Sequence, residues 1–353
     1  MKIKRIFAAL AAAAMLCGVT GCSSDIAGEA AVTFAEPGVL RGADNINIKK
    51  LSSRSAEDSE KIFKVGIAKL MDHPALDLSE EGFVAALTDA GFVIGENLIL
   101  EYRNGNNDES ALNAIAEEFV ADNYDLIFAI ATPAAQACAK KTTEIPIIGT
   151  AITDFVDAGL IESNARPASN VSGATDMSPV DEQIAMIRDI FPEVKTVGFV
   201  YTASESNSAL QIGIAKKQAE QMGLATVEVT VNSKDDIETA FADIVTKCDA
   251  IYLPTDNLLA SEMPRVAAVC NPAKIPVFCA EGNMVEAGGF GTLALDYYDL
   301  GYTAGTMAVK VIDGASIDRM AIQKSSKFEY SFNTATVAAL DVTLPEEYQR
   351  YLN

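Results

Sequence analysis

Two successive series of apolar, strand-like runs, separated by segments of helical spacing, constrain the fold of this chain more than any other feature. Residues 126–131 are apolar throughout, which is typical of a strand buried on both faces of a parallel sheet. Similar strands alternate with helices from residue 61 to about residue 150, and the alternation begins again at Thr196. Because parallel strands need helical crossovers, this order predicts an α/β fold with two doubly wound, Rossmann-like lobes.

The segment after the second series indicates how the chain joins the two lobes. Residues 286–332 combine a strand, a long helix and another strand, as expected of a chain that crosses back between lobes. We therefore expect residues 61–176 and 296–325 to form the N-terminal lobe. The C-terminal lobe is expected to comprise residues 177–295 and 326–353.

The start of the chain has the pattern of an export signal. Three basic residues precede an apolar run at 6–19, which is shorter than the roughly 20 residues that span a bilayer. The sequence VTGC at 19–22 matches a bacterial lipobox. It predicts a signal peptide at 1–21 and a lipid on Cys22. An ordinary signal peptide followed by a chance cysteine is the alternative.

The segment after the predicted lipid site has the composition of a tether. Residues 22–60 are polar and small and show no sustained period, which indicates a flexible connection. No other apolar stretch approaches membrane length. The predicted location is the extracytoplasmic face of the cell membrane, where acyl chains hold the protein.

The charge and the missing motifs exclude several function classes. The formal net charge is −22 at pH 7, and such an acidic surface repels phosphate backbones, so nucleic acid is not an expected partner. The sequence has one histidine and lacks a lysine-bearing phosphate loop and a G-x-S-x-G elbow. We therefore expect no catalytic residue, no metal and no cofactor.

The cysteines do not form a recognisable framework. Cys17 would leave with the signal and Cys22 would carry the lipid, which leaves four: Cys138, Cys248, Cys270 and Cys279. Their spacings match no zinc site. Buried free thiols are the favoured interpretation, and a disulfide between Cys270 and Cys279 is the alternative.

In open α/β sheets, small ligands bind beyond the carboxyl ends of the strands, where helices begin. In the first lobe, His73 follows the first strand, Thr132 and Pro133 follow the most buried strand, and Thr153 follows the next one. With Thr132 at N-cap and Pro133 at N1, a helix would start there and its free N–H groups would attract an anion. A plain helix start is the structural alternative at each position.

Acidic residues follow the carboxyl ends of the corresponding strands in the second lobe. They are Glu205, Asp256 and Glu281. Asp256 is the favoured partner for an ammonium group because it lies nearer the end of its strand, and Glu205 is the second candidate. Both carboxylates are equally suited to a helix N-terminus, where they favour the macrodipole.

Together these corner sequences resemble those of the ABC-transporter substrate-binding lipoproteins of the tryptophan/tyrosine type. The resemblance extends from about Ile62 to the C-terminus and depends on six segments: HPALD at 73–77, ATPAAQA at 131–137, TAITD at 150–154, ASESNS at 203–208, PTDN at 254–257 and DYYDLG at 296–301. It implies a type I periplasmic-binding-protein fold, in which three crossover segments join two lobes that close on a small ligand. Well-known family members bind aromatic amino acids, so the resemblance implies an amino-acid ligand and favours an aromatic one.

The resemblance also implies a cleft between the lobes. Its expected residues are Lys69, Leu70, His73, Leu76, Ala131, Thr132, Pro133, Ala134, Thr153, Asp154, Ser204, Glu205, Asn207, Asp256, Asn257 and Glu281. Lys69 and Phe155 depart from the family pattern, in which Gln and Pro are common. The expected pose places the ligand carboxylate at residues 132–134 with help from Thr153, and the ammonium at Asp256.

The implied function is that of a solute-binding protein of an ABC importer. Its partners would be the small ligand, a membrane permease and the permease's ATPase. A sensory or orphan binding protein on the same fold is the alternative. An extracellular enzyme that uses His73 or Asp256 as a base is a more distant one, because no partnered nucleophile is present.

Overall fold

Two six-stranded sheets organise residues 61–353, which are the part of the chain that the computed structural model describes. The predicted signal peptide, Cys22 and the predicted tether at 22–60 lie outside the described residues. The strand order is β11-β5-β4-β3-β1-β2 in the first sheet and β12-β10-β9-β8-β6-β7 in the second. All pairings are parallel except that of β10 with β12. The predicted α/β fold with two doubly wound lobes is confirmed.

The first sheet and its helices come from the first half of the described chain. The elements are β1 (Phe63–Lys69), α1 (Pro74–Asp89), β2 (Leu98–Asn104), α2 (Glu109–Ala121), β3 (Leu126–Ile130), α3 (Thr132–Ala139), β4 (Ile147–Ile152) and β5 (Val171–Thr175). Strand β3 is buried along its whole length, as expected for a strand covered by helices on both faces.

The second sheet is built from the next series of elements. They are α4 (Val180–Ile190), β6 (Thr196–Thr202), α5 (Ser206–Gln221), β7 (Ala225–Val231), α6 (Ile237–Ile244), β8 (Ala250–Leu253), α7 (Asn257–Ser261), α8 (Met263–Cys270), β9 (Val277–Cys279), α9 (Gly282–Glu286) and β10 (Gly291–Ala294).

The last part of the chain returns to the first lobe and then to the second. Its elements are α10 (Tyr297–Ile312), a 3-10 turn (Ile317–Arg319), β11 (Gln323–Lys324), β12 (Glu329–Phe332), α11 (Thr334–Ala339) and α12 (Glu346–Gln349). The chain therefore passes between the lobes three times: after β5, before α10, and between β11 and β12.

Helix α10 packs tightly against α1 because glycines remove the side chains between them. A Cβ on Gly301 would lie 1.9 Å from the carbonyl oxygen of Ser79, and one on Gly82 would lie 2.1 Å from that of Tyr298. The Ser79 hydroxyl also donates to the Tyr297 carbonyl oxygen at 3.2 Å. This packing fixes the N-terminal end of α10, and with it Tyr297, on the first lobe.

The structure differs from the sequence prediction in the second half of each lobe. Strand β5 and helix α4 were not predicted, and the helical segment that follows β8 is divided into two helices, α7 and α8. Pro264 explains the break, because it cannot supply the N–H that a continuous helix would donate to Ala260. The sequence of β5 contains serine and glycine instead of an apolar run, since a Cβ on Gly173 would lie 2.0 Å from the carbonyl oxygen of Gly149 in β4.

Candidate ligand-binding site

A cleft lies between the carboxyl ends of the strands of the two sheets. It encloses about 300 Å³ of space between atoms, part of it open to solvent. The first-lobe side is lined by His73, Leu76, Ala151, Thr153, Asp176 and Tyr297. The second-lobe side is lined by Asn207, Thr255, Asp256, Asn257, Ala260 and Glu281.

The two lobes contact each other directly at this cleft. Nε2 of His73 lies 3.3 Å from Oδ1 of Asn257, and the hydroxyl oxygens of Thr153 and Thr255 are 3.1 Å apart. Thr255 accepts a hydrogen bond from Nε2 of Gln211 at 2.9 Å, so its own hydrogen is available to Thr153. Side chains of both lobes therefore share one hydrogen-bonded boundary.

Asp256 is the N-cap of α7, and groups of the second lobe already donate hydrogen bonds to its carboxylate. The oxygens accept from the backbone N–H of Thr202 at 2.7 Å, from the Thr202 hydroxyl at 2.8 Å and from the N–H of Leu259 at 2.9 Å. The residue is almost fully buried. These contacts favour the structural alternative for Asp256 over the ammonium partner that the sequence favoured.

Glu205 holds the same helix from the other side. Its carboxylate accepts from the backbone N–H groups of Asn257 at 3.0 Å and Leu258 at 3.1 Å, and from Nδ2 of Asn257 at 2.7 Å. Burial, together with the charge of Asp256, raises the pKa of Glu205 above its usual range, although these N–H donors offset part of the effect. Glu205 therefore serves α7, and it also orients the Asn257 amide.

The orientation of the Asn257 amide decides which ring nitrogen of His73, the single histidine, carries the hydrogen. Because Nδ2 of Asn257 faces Glu205, its Oδ1 faces His73 and can only accept. Burial lowers the pKa of His73 to about 4, so the ring is neutral at pH 7. Nε2 must then carry the hydrogen, and Nδ1, which is buried without a partner, is an acceptor.

Two further buried carboxylates in the cleft are only partly satisfied. Oδ2 of Asp176 accepts from the Tyr297 hydroxyl at 2.9 Å, whereas its Oδ1 has no partner, and neither has Oε1 of Glu281. Burial raises the pKa of Asp176 to about 6, although the hydrogen bond from Tyr297 offsets part of the effect. Burial and the charge of Asp176 raise the pKa of Glu281 to about 8. The two carboxylates are therefore poised to accept a cation.

The structure brings together only part of the predicted site. The predicted residues that line the cleft are His73, Leu76, Thr153, Asn207, Asp256, Asn257 and Glu281. Of the remaining ones, Ser204 is exposed, Leu70 is buried, and Asp154 accepts from the N–H groups of Val156 and Asp157 in its own turn. Lys69 is paired with carboxylates of the first lobe instead.

The predicted anion site at the start of α3 needs a correction. The N-cap is Ala131 with φ +83°, and Thr132 is already the first helical residue. The helix begins one residue early because the Ala131 carbonyl accepts from the N–H of Ala135 at 3.2 Å. Among residues 61–353, the cleft lining includes none of the four predicted residues Ala131, Thr132, Pro133 and Ala134.

Five cleft residues were not predicted as site residues. They are Ala151, Asp176, Thr255, Ala260 and Tyr297. Asp176 directly follows β5, so a recognised strand at that place would have marked it as a corner residue. Tyr297 lies in the DYYDLG segment, where only the resemblance to a family had drawn attention to it.

Three further observations on the described residues concern the cysteines, metal sites and membrane-spanning helices. The four cysteines at 138, 248, 270 and 279 are buried free thiols. Within 61–353, no group of three or more His, Cys, Asp or Glu side chains is arranged to hold a metal ion. In that same part of the chain, no helix is both long and apolar enough to cross a membrane.

Comparisons with known proteins agree on one family. A family model described as "ABC transporter substrate binding protein" matches residues 64–351. A tyrosine-binding protein of Clostridioides difficile (strain R20291) is 38% identical over 285 residues, which cover 81% of this chain and 83% of that protein.

Two solved structures of similar sequence identity differ in their TM-score against this chain. An ABC domain from Streptococcus pneumoniae in complex with L-Trp is 32% identical, with a TM-score of 0.80 over 83% of this chain and 100% of that chain. The ligand-free, open structure of a C. difficile substrate-binding protein with adhesive properties is 38% identical but has a TM-score of 0.66, over 83% and 98% of the chains. By TM-score, the structure of this chain is thus more similar to that of the L-Trp complex.

The hydrogen bonds of Asp256 generate a prediction about stability. Asp256→Ala should lower the free energy of unfolding by ~2–4 kcal/mol, because two buried N–H groups and a hydroxyl lose their acceptor. Asp108→Ala is the matched control, since Asp108 caps α2 at an exposed position and its loss should cost only ~1 kcal/mol. Urea unfolding of both variants measures the difference, and equal small losses would show that Asp256 does not have the capping role.

Proposed function

This chain belongs to the ABC transporter substrate binding protein family, and from that premise we propose that it binds an aromatic L-amino acid in the cleft and delivers it to a membrane permease. Members of this family are extracytoplasmic solute-binding proteins, not enzymes. The ligand class follows from one observation, the set of unpartnered acceptor atoms in the cleft.

Four buried polar atoms of cleft residues lack a partner, and each can accept a hydrogen bond, the two carboxyl oxygens when their groups are ionised. They are Nδ1 of His73, Oδ1 of Asp176, Oδ1 of Asn207 and Oε1 of Glu281. Of residues 61–353, no lysine or arginine lines the cleft to neutralise the two carboxylates. Because a buried, unpaired carboxylate is costly, the cleft favours a ligand that brings a positive charge and several N–H donors. A primary ammonium group brings both.

The ammonium therefore belongs at Asp176 and Glu281 and not at Asp256. Asp176 extends from the first lobe after β5, and Glu281 extends from the second lobe after β9. One ammonium between them contacts both lobes. Charge-assisted hydrogen bonds of this kind contribute about 1.5–3 kcal/mol each.

The rest of the cleft suits an apolar group. Leu76, Ala151, Ala260 and the ring of Tyr297 contribute to the lining. An aromatic side chain that buries 150–250 Å² at about 25 cal/mol per Å² contributes roughly 4–6 kcal/mol. The relatives described above are a tyrosine-binding protein and a protein in complex with L-Trp, which supports an aromatic ligand.

Ligand analogues test this proposal. We expect L-tyrosine or L-tryptophan to bind in isothermal titration calorimetry. Of the tyrosine analogues, tyramine should keep measurable binding, because the cleft lining among the described residues has no cationic side chain for the carboxylate. The analogue 3-(4-hydroxyphenyl)propionate, which lacks the ammonium, should not bind.

Variants locate the ammonium in the same experiment. Asp176→Asn and Glu281→Gln should each weaken binding by about 10- to 100-fold, the loss of one charge-assisted hydrogen bond. Asp154→Asn is the control, since that carboxylate caps its own turn outside the cleft lining. Strong binding of the propionate, or an unchanged affinity in both cleft variants, would contradict the ammonium site.

The raised pKa values predict a pH dependence. With a pKa of about 6 for Asp176 and about 8 for Glu281, protons occupy both carboxylates at low pH, and an ammonium must displace them. Affinity should therefore rise with pH from about 5 to about 8, and binding at pH 7 should release protons. Calorimetry in buffers of different ionisation enthalpy measures this release.

A variant identifies the group that titrates. Asp176→Asn removes the charge that raises the pKa of Glu281, so the midpoint of the remaining pH dependence should move to lower pH. A flat profile in the wild-type protein would show that neither carboxylate meets the ligand's charge.

We further propose that the protein is anchored through a lipid on Cys22 and acts in import. In cells, Cys22→Ala should move the protein from the membrane fraction to the soluble fraction and reduce uptake of the labelled amino acid, because the anchor keeps the protein near its permease. Unchanged fractionation of the variant would contradict the anchor. Unchanged uptake in cells that lack the whole protein would contradict delivery.

A further inference from the structure

A buried lysine lies just beneath the loop that carries His73. Lys69 is the last residue of β1, and its side chain is only 4% exposed. Its ammonium lies 3.2 Å from Oδ1 of Asp72 and 3.0 Å from Oε2 of Glu80, and it also pairs with Asp77. One positive charge thus holds three carboxylates.

The three carboxylates lie on both sides of His73. Asp72 immediately precedes it, whereas Asp77 and Glu80 lie in the first two turns of α1. The N–H of Asp77 also donates to the His73 carbonyl oxygen at 3.0 Å. The Lys69 ammonium therefore connects the two ends of the short segment that places His73 in the cleft.

A second group supports this arrangement from the neighbouring strand. The hydroxyl of Tyr102 in β2 donates to Oδ1 of Asp72 at 2.7 Å, and the Lys69 ammonium lies 5.4 Å from the centre of the Tyr102 ring. Without Lys69, the three carboxylates would repel one another, and only Asp72 would keep a hydrogen bond from β2. The segment between β1 and α1 would then open.

We propose that Lys69 is a positioning residue for the binding site: it does not contact the ligand but holds the His73 loop where His73 meets both the ligand and Asn257 of the second lobe. The geometry of the three ion pairs and the cross-lobe contact of His73 carries this assignment. It rests on the proposed function, since the ligand is taken to bind in the cleft. It also changes the role of Lys69 from the ligand contact expected from the sequence.

The chain contains one histidine, so the ring gives a single, unambiguous NMR signal. Lys69 lowers the pKa of His73, whereas Asp72 and Asp77 raise it, so removing the lysine charge should raise the histidine pKa above about 4. This measurement needs no ligand. It therefore reports on the electrostatic surroundings of His73 even if the ligand assignment fails, and the affinity measured beside it tests the positioning role.

The main variant is Lys69→Gln, which keeps a polar side chain and removes the charge. We expect the pKa of His73 to rise and the affinity for the aromatic amino acid to fall by about tenfold or more, because a binding group displaced by ~1 Å loses most of its contribution. Lys69→Arg should restore both values, with an affinity within about threefold of wild type, since a guanidinium can hold the same carboxylates.

Two further variants complete the design. Lys141→Gln is the control, because Lys141 forms a surface ion pair with Glu117 at 2.6 Å on the same lobe and should change neither readout. Asp77→Asn serves if Lys69→Gln does not fold. It weakens the cluster at a half-exposed residue, so it should shift the histidine signal and reduce the affinity by a smaller factor.

Three outcomes would overturn the proposal. The first is a histidine signal and an affinity that both stay at wild-type values in Lys69→Gln. The second is a loss of affinity with an unchanged histidine signal, and the third is a changed histidine signal with an unchanged affinity. A wild-type protein that binds none of the amino acids would refute the proposed function, whereas the ligand-free histidine signal would still report on the loop.

Discussion

The burial of four carboxylates at the lobe boundary, with no lysine or arginine in the described cleft lining, is the constraint on which the rest of this site depends. A buried carboxylate needs donors or a counter-charge. Asp256 and Glu205 receive N–H donors from the second lobe itself and hold α7 in place. Asp176 and Glu281 each keep an oxygen without a partner. Two carboxylates thus serve the fold, and two are left for a ligand.

Glu205, one of the two carboxylates that hold α7, also determines which hydrogen-bonding atoms of Asn257 and His73 face the cleft. Glu205 orients the amide of Asn257, and that amide leaves the His73 ring with a free acceptor nitrogen. A second contact between the lobes joins the hydroxyl groups of Thr255 and Thr153, which both line the cleft. The tautomer of His73 is therefore a consequence of how α7 is capped and not a property of the histidine alone.

The sequence predicted the fold well, because alternating buried strands and helices allow few other arrangements. It predicted the corners of the site where strands were recognisable, as at His73 and Glu281. Asp176 was missed since β5 is short and contains Gly173, which the close approach to β4 requires. The hydrogen bonds of Asp256 were outside what the sequence could predict, for a different reason. Whether a corner carboxylate is free or already hydrogen-bonded depends on contacts such as those from Thr202, which no local pattern shows.

A pair of unsatisfied carboxylates on opposite lobes also explains how a ligand can favour one lobe arrangement. A ligand shifts an equilibrium only through contacts that differ between the two states. When the lobes separate, Asp176 and Glu281 move apart and reach water, which solvates each of them separately. When the lobes meet, burial and the Asp176 charge raise the pKa of Glu281, so its carboxyl takes up a proton unless an ammonium takes the proton's place. The burial that disfavours two ionised carboxylates in the empty cleft is thus the same property that makes closure around a cation favourable.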